Sequence, residues 1–183
     1  MYEAGFSFLA LEVFAMNRIL RGVAPASLML VMSASCLCQS LPTTEGETLS
    51  GKHIVLADAT HGHTAVLVAG FSHEGGMGTG AWLKAVKADP ALAGVAVYQV
   101  AMLEKAPGFI RGMIKSGMRK GLSAAEQDNA VVLTQDEKLW QSYFDVSDDK
   151  DPYVVLIDAE GKVLWHGHGP AGEVEPQLRA ALQ

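Results

Sequence analysis

Four glycines within residues 75–80 constrain the fold of this 183-residue chain more than any other feature. They follow residues 66–71, a short apolar run typical of a strand that is buried on both faces. Because glycine tolerates positive φ and lets other groups approach closely, the run predicts a loop at the end of that strand. Thr79 is expected to cap the helix that carries Trp82. Open α/β sheets place binding sites where such a loop meets a helix, so we predict a binding loop here.

The rest of the chain alternates between short apolar runs and helical patterns, which predicts an α/β fold with a mixed central sheet flanked by helices. An N-terminal hairpin is expected to open the domain, with its strands at 51–58 and 64–71. Further strands are predicted at 94–102, 130–134, 153–157 and 162–166, and helices at 107–121, 136–144 and 173–182, besides the helix that ends near residue 88.

The glycine run and a second stretch together resemble the thioredoxin-like superfamily. In that family a buried strand ends in an aromatic residue, and a Cys-x-x-Cys pair opens the next helix. Phe71 matches the aromatic residue, whereas Gly75 and Gly78 stand at about the positions of the two cysteines. Pro152, which begins an apolar run, is similar to the family's cis-proline; a trans proline at the start of a strand is the alternative. The resemblance covers residues 50–182 and implies a thioredoxin-like domain without the redox pair.

Residues 103–129 go beyond a minimal thioredoxin domain and contain a predicted inserted helix. Its apolar residues share one helical face and are expected to face the core: Phe109, Ile110, Met113, Ile114 and Met118. Its basic residues form a stripe at four-residue spacing: Arg111, Lys115 and Arg119. The stripe is interpreted either as a solvated helix face or as a surface that meets anionic lipid or an acidic partner. Such an insertion resembles the mitochondrial ATP synthase assembly factor family and its bacterial relatives, which keep a thioredoxin-like fold without the redox pair.

The first 38 residues have the pattern of a secretory leader. Arg18 and Arg21 form a short basic region, and residues 22–38 form an uncharged, largely apolar run. The pattern predicts an exported bacterial protein, periplasmic or membrane-anchored, with Met16 as an alternative start to Met1. Cleavage of the leader is favoured, and an uncleaved signal anchor is the other interpretation.

Cysteine content and net charge argue against two classes of function. The only cysteines are Cys36 and Cys38 in the leader, and thiol chemistry needs a thiolate, so no thiol–disulfide oxidoreductase activity is expected. The Ser-Ala-Ser before Cys36 loosely resembles a bacterial lipobox, which makes Cys36 a candidate lipidation site. A formal net charge of −6 gives no reason to expect nucleic-acid binding. A polar linker is predicted at 39–50, between the leader at 1–38 and the domain at 51–183.

Two hypotheses for the site follow. The first is a surface that binds a protein or peptide without a cofactor, where the glycine loop and the proline-started strand offer backbone donors and acceptors to an extended chain; a role in envelope protein assembly is included in this hypothesis. Its candidate residues are Ser72, His73, Glu74, Gly75, Gly76, Met77, Gly78, Asp151 and Pro152. The alternative is a metal-binding or enzymatic site for zinc or copper, with ligands drawn from His73, Glu74, His166 and His168.

Overall fold

The computed structural model describes residues 40–182, so the predicted leader and the candidate lipidation site at Cys36 lie outside the described residues. The strands are β1 (Glu45–Thr48), β2 (His53–Val55), β3 (Ala65–Gly70), β4 (Ala96–Met102), β5 (Ala130–Leu133), β6 (Tyr153–Ile157) and β7 (Val163–His168). The helices are α1 (Leu56–Thr60), α2 (His73–Ala88), α3 (Gly108–Gly121), α4 (Ala124–Asp128), α5 (Glu137–Phe144) and α6 (Ala171–Ala180), with a short 3₁₀ turn at Pro90–Leu92.

In the described part of the chain, these strands form one seven-stranded mixed sheet in the order β2-β1-β5-β4-β3-β6-β7. The central strands β3, β4 and β5 run parallel, and β1 and β6 pair with β5 and β3 in the antiparallel direction. All six residues of β3 are buried, as the continuous apolar run predicts for a strand covered on both sides. The predicted α/β architecture, a mixed sheet flanked by helices, is confirmed.

Helices cover both faces of the sheet. On the first, which we call the α5 face, Trp140 and Phe144 of α5 pack on alternate strand residues such as Leu67 and Val155. On the second, the α2 face, Trp82 of α2 packs with Val66 and Val68 and with residues of α6. Helix α3 also lies on the α2 face. Its Met118 packs near Ala130 and Val132 of β5, whereas the neighbouring Val131 and Leu133 point to the α5 face. No helix within residues 40–182 is long and apolar enough to cross a membrane.

The N-terminal hairpin exists, but it lies earlier in the chain than the sequence predicts. Strand β1, inside the predicted linker, pairs with β2 and with β5. Residues 56–60 form helix α1 rather than strand, and Thr60 Oγ1 donates to the Leu56 carbonyl oxygen at 2.8 Å. The inward residues of β1 are small or polar, so no apolar alternation marks it as a strand. Gly46, for example, faces Leu133 and Val131, where an added Cβ would lie 2.7 Å and 2.8 Å from their side chains.

Candidate functional site

The glycine run is the first part of helix α2 rather than a loop. Ser72 caps the helix: its Oγ accepts from the Gly75 backbone N–H at 3.1 Å and donates to the Asp149 carbonyl oxygen at 2.7 Å. Thr79, the predicted cap, lies inside the helix and is buried. None of the four glycines in residues 75–80 has a positive φ. Among the described residues, the glycines with positive φ are Gly51, Gly62, Gly94, Gly161 and Gly169. The prediction was wrong because each helical glycine costs about 1 kcal/mol, so four of them favour a loop unless packing requires them.

One side of the first turns of α2 is packed tightly against residues 149–152. A Cβ added at Gly75 would lie 2.7 Å from the carbonyl oxygens of both Asp149 and Asp151. A Cβ added at Gly78 would lie 2.8 Å from the Pro152 ring. The peptide bond before Pro152 is trans, like the other peptide bonds in the described residues, so the cis-proline implied by the resemblance is not found. Residues 149–152 therefore pack so close to α2 that Gly75 and Gly78 have no room for a side chain.

The other side of the same turns faces an open groove between α2 and α3. The groove has a volume of about 560 Å³, and its floor is the central strand β4. Its α2 wall includes Gly76, Met77 and Thr79, and its α3 wall includes Ile110, Ile114, Gly117 and Met118. On the floor, Gln99 Nε2 donates to Thr79 Oγ1 at 2.7 Å, and that hydroxyl donates to the Gly76 carbonyl oxygen at 2.7 Å. These bonds tie the floor of the groove to its α2 wall.

Helix α3 leaves its apolar side uncovered. None of its 14 residues is buried, and Phe109 and Met113 are 74% and 69% exposed. Across the groove, Met77 of α2 is 72% exposed. The expectation that the apolar side of this helix faces the core is therefore wrong for Phe109 and Met113. Ile110, Ile114 and Met118 are half-buried and line the groove, and Met118 also packs against the buried cluster that contains Ala130 and Val132. An uncovered apolar surface of this kind is a mark of an interaction site.

The basic stripe of α3 points toward the protein's own chain. Lys115 Nζ lies 2.7 Å from Glu47 Oε2 in β1, and this hydrogen bond lowers the pKa of Glu47. Arg119 Nε donates to the Leu49 carbonyl oxygen at 2.7 Å. Arg111 donates to the carbonyl oxygens of residues 104 and 106. These bonds join the stripe to other parts of the same chain, and the contact with anionic lipid or an acidic partner that is expected at the stripe stays a prediction.

An ion pair marks one end of the groove. Lys105 Nζ lies 2.7 Å from Oε1 of the buried Glu137, and this bond raises the pKa of Lys105. Gln141 donates to the same Glu137 oxygen at 2.8 Å, and the Glu137 backbone N–H donates to Glu104 Oε2 at 2.6 Å. Lys105 and Gln141 thus share one carboxylate oxygen of Glu137, and the rest of the lining is mainly apolar.

The predicted metal ligands do not come together. His166 and His168 share the exposed side of β7, opposite Val155 and Tyr153, and so lie on the α5 face of the sheet. His73 lines the groove on the α2 face. Within residues 40–182, no three His, Cys, Asp or Glu side chains form a group that could hold a metal ion, so the cluster is a wrong prediction.

The structure also divides the predicted binding loop. Ser72, His73, Gly76 and Met77 line the groove, whereas Gly75 and Gly78 pack against residues 149–152. Asp151 Oδ2 lies 2.8 Å from His168 Nδ1, away from the groove. The α3 wall was not among the predicted binding residues, although its uninterrupted apolar side is visible in the sequence. What the sequence could not show is that this side stays uncovered.

The structural comparisons identify the fold. No family model matches the sequence, and no curated protein matches it. The thioredoxin domain of a thiol-disulfide oxidoreductase from Bacteroides vulgatus is 18% identical, with 80% of this chain and 97% of that chain covered and a TM-score of 0.56. A thiol:disulfide interchange protein of the thioredoxin family from Chlorobium tepidum is 16% identical, with 82% and 100% covered and a TM-score of 0.52.

A third similar structure is BsSco, described as a member of the Sco family of cytochrome c oxidase assembly proteins. It is 16% identical, with 80% of this chain and 95% of that chain covered and a TM-score of 0.51. The chain therefore has a thioredoxin-like fold, as the resemblance in its sequence implies. At these identities the similarity defines the fold and leaves the activity to be argued from the site.

Proposed function

We propose that this protein is an exported, redox-inactive thioredoxin-like module that binds a protein or peptide partner. The observation that carries the proposal is the open apolar groove between α2 and α3, where Met77 is exposed on the α2 wall. Phe109 and Met113 are exposed on α3, the helix that forms the other wall. Uncovered apolar surface marks interaction sites, apolar grooves bind peptides, and methionine side chains adapt to the groups they contact.

The absence of redox chemistry is supported by the sequence and by the packing of α2. No cysteine stands between Cys38 and the C-terminus, and Gly75 and Gly78 stand at about the positions of the family's two redox cysteines. A side chain at either position would collide with residues 149–152. Purified protein should therefore show no reduction of insulin disulfides by dithiothreitol above the uncatalysed rate.

Export is supported by the leader pattern, with Arg18 and Arg21 before an uncharged run. The proposed location is the bacterial periplasm, with the protein free or held at the membrane through its leader or a lipidated Cys36. N-terminal sequencing of protein from the native host should begin between residues 36 and 41. A role in envelope protein assembly is part of the same proposal, and a similar structure is described as a member of a cytochrome c oxidase assembly family.

The groove is tested by filling it. A Cβ at Gly76 meets no atom within 4 Å, so the substitution Gly76→Leu adds a side chain to the groove wall without a clash. Peptides selected from a phage-displayed library on the purified wild-type protein provide the probe. We expect Gly76→Leu to weaken their binding at least about tenfold, because a buried leucine-sized contact amounts to ~1.5–3 kcal/mol.

Gly112→Leu is the matched control. Gly112 also lies in a helix with no atom within 4 Å of its added Cβ, but it does not line the groove. Its peptide affinity should equal that of the wild type. Equal affinities for wild type and Gly76→Leu, with both proteins folded, would rule out the groove as the binding site.

A further inference from the structure

We propose that the groove binds an amphipathic α-helix whose polar side is acidic. This inference rests on the proposed function and deepens it, because it states the conformation and the charge of the bound segment. It departs from the extended chain that the sequence alone suggests.

The floor of the groove argues for a helix. Strand β4 lies inside the sheet, and its residues on the groove floor, Gln99 to Ala101, are paired with β3 on one side and with β5 on the other. It therefore has no free edge with which an extended peptide could form a strand pair. The walls are helices that offer side chains, so an incoming segment has to satisfy its own backbone hydrogen bonds, as a helix does.

The apolar residues on the two walls suit the apolar side of such a helix. Three of the five large apolar side chains that are exposed in the described part of the chain lie on the two helices that form the groove walls: Met77, Phe109 and Met113. Ile110 and Ile114 continue the apolar surface down the α3 wall to the floor. Residues spaced by three or four positions on a bound helix would meet these side chains along the groove.

The charges at the two rims favour an acidic polar side. Seven residues after Met77 on α2 comes the exposed Lys84, and seven residues after Met113 on α3 comes the exposed Lys120. Residues seven apart lie on one side of a helix, so each rim carries a lysine in line with its exposed methionine. Helix α3 carries Arg111, Lys115, Arg119 and Lys120 and no acidic residue, in a chain with a formal net charge of −6.

Bonds within the chain hold the three residues of the basic stripe, so the charge available to a bound helix is that of Lys84 and Lys120. Lys115 is paired with Glu47, whereas Arg111 and Arg119 donate to neutral backbone carbonyl oxygens. The Glu137 carboxylate at the groove end is already bound by Lys105. The groove is thus an apolar site with one exposed lysine on each of its two helical walls, Lys84 and Lys120, which complements an apolar helix side flanked by carboxylates.

The test uses three synthetic helical peptides that share one leucine- and phenylalanine-rich side and carry glutamate, glutamine or lysine on the other. Fluorescence anisotropy with the purified protein measures their affinities at low and high salt. We expect the glutamate peptide to bind most tightly and the lysine peptide least, about tenfold apart at low salt, because each exposed charge pair contributes modestly and is screened by salt.

The double variant Lys84→Glu/Lys120→Glu should reverse this order while binding the glutamine peptide as the wild type does. Lys138→Glu is the matched control, since Lys138 is exposed on α5, on the opposite face of the sheet, and should leave the order unchanged. If all three peptides bind equally and Gly76→Leu weakens all of them, peptide binding stands and the acidic preference is refuted. If none of the peptides binds while phosphatidylglycerol vesicles do, the proposed function fails as well.

Discussion

Helices α2 and α3 cover the same face of the sheet and are held there by different means. Helix α2 buries Trp82, Leu83 and Val86, and the Trp82 indole N–H donates to the Gly169 carbonyl oxygen at 2.8 Å. Helix α3 buries no residue and is attached largely through polar bonds from Lys115 and Arg119 to the β1 segment. Helix α3 is therefore positioned by its basic stripe and by the packing of Met118, while Phe109 and Met113 stay exposed.

The largest effect should come from truncating the anchor of α2. Trp82→Ala removes a fully buried indole and its hydrogen bond, and should lower the free energy of unfolding by about 3–5 kcal/mol. Phe109→Ala in α3 should change it by no more than about 0.5 kcal/mol, because that ring is 74% exposed. Urea denaturation measures both. If Phe109→Ala lowered the free energy of unfolding as much as Trp82→Ala, α3 would be packed as tightly as α2, contrary to the difference described above.

The two sides of the first turns of α2 should respond in opposite ways to one methyl group. Gly75→Ala places a Cβ 2.7 Å from two carbonyl oxygens, so the chain has to shift, and we expect a loss of about 1–3 kcal/mol. Gly76→Ala meets no atom within 4 Å and should stabilise the protein by up to about 1 kcal/mol, through higher helix propensity. Thermal and urea unfolding of the two variants give the sign of each effect. Changes of the same sign would contradict the division of α2 into a packed and an open side.

The sequence was sufficient for the fold wherever apolar runs were continuous. The runs at 66–71 and 153–157 predicted β3 and β6, and the resemblance to the thioredoxin-like superfamily is borne out by the fold. Strand β1 was missed because its inward residues include Gly46 and Thr48, which carry no apolar signal. Local propensity fails there because pairing with β5 decides the conformation.

The sequence predicts only part of the groove lining, because the contacts that shape the groove are between residues far apart in the chain. Two residues of the glycine run, Gly76 and Met77, line the groove, and their role in binding stays a prediction. The predicted conformation of the run was wrong, because propensity opposes four helical glycines, and the contacts of Gly75 and Gly78 with residues 149–152 are long-range. The apolar side of α3 was assigned to the core because sequence periodicity shows that a helix has an apolar side, and cannot show whether another element covers it.

A smaller effect is expected from acidification, which should weaken the ion pair between Lys87 near the C-terminal end of α2 and Glu126 of α4. Glu126 accepts hydrogen bonds from Lys87 of α2 and from Ser123, which lower its pKa from an ordinary 4.5 to about 2. A lowered pKa in the folded state means that this contribution to stability is fully present above pH 4.5 and is lost as the pH falls toward 2. Carboxyl-carbon NMR should show Glu126 titrating near pH 2 in the folded protein. Lys87→Met should move that midpoint upward, and an ordinary midpoint in the wild type would contradict the ion pair.

The most direct test of the binding groove uses the methionine methyl groups. Four methionines lie in the described residues: Met77, Met102 and Met118 line the groove, and Met113 stands at its rim. Addition of a selected peptide to protein labelled with ¹³C at these methyl groups should shift the signals of Met77, Met113 and Met118. Binding in the groove would be contradicted if the peptide binds while these methyl signals stay in place. In that case the ring signals of His166 and His168, on the opposite face of the sheet, would shift instead.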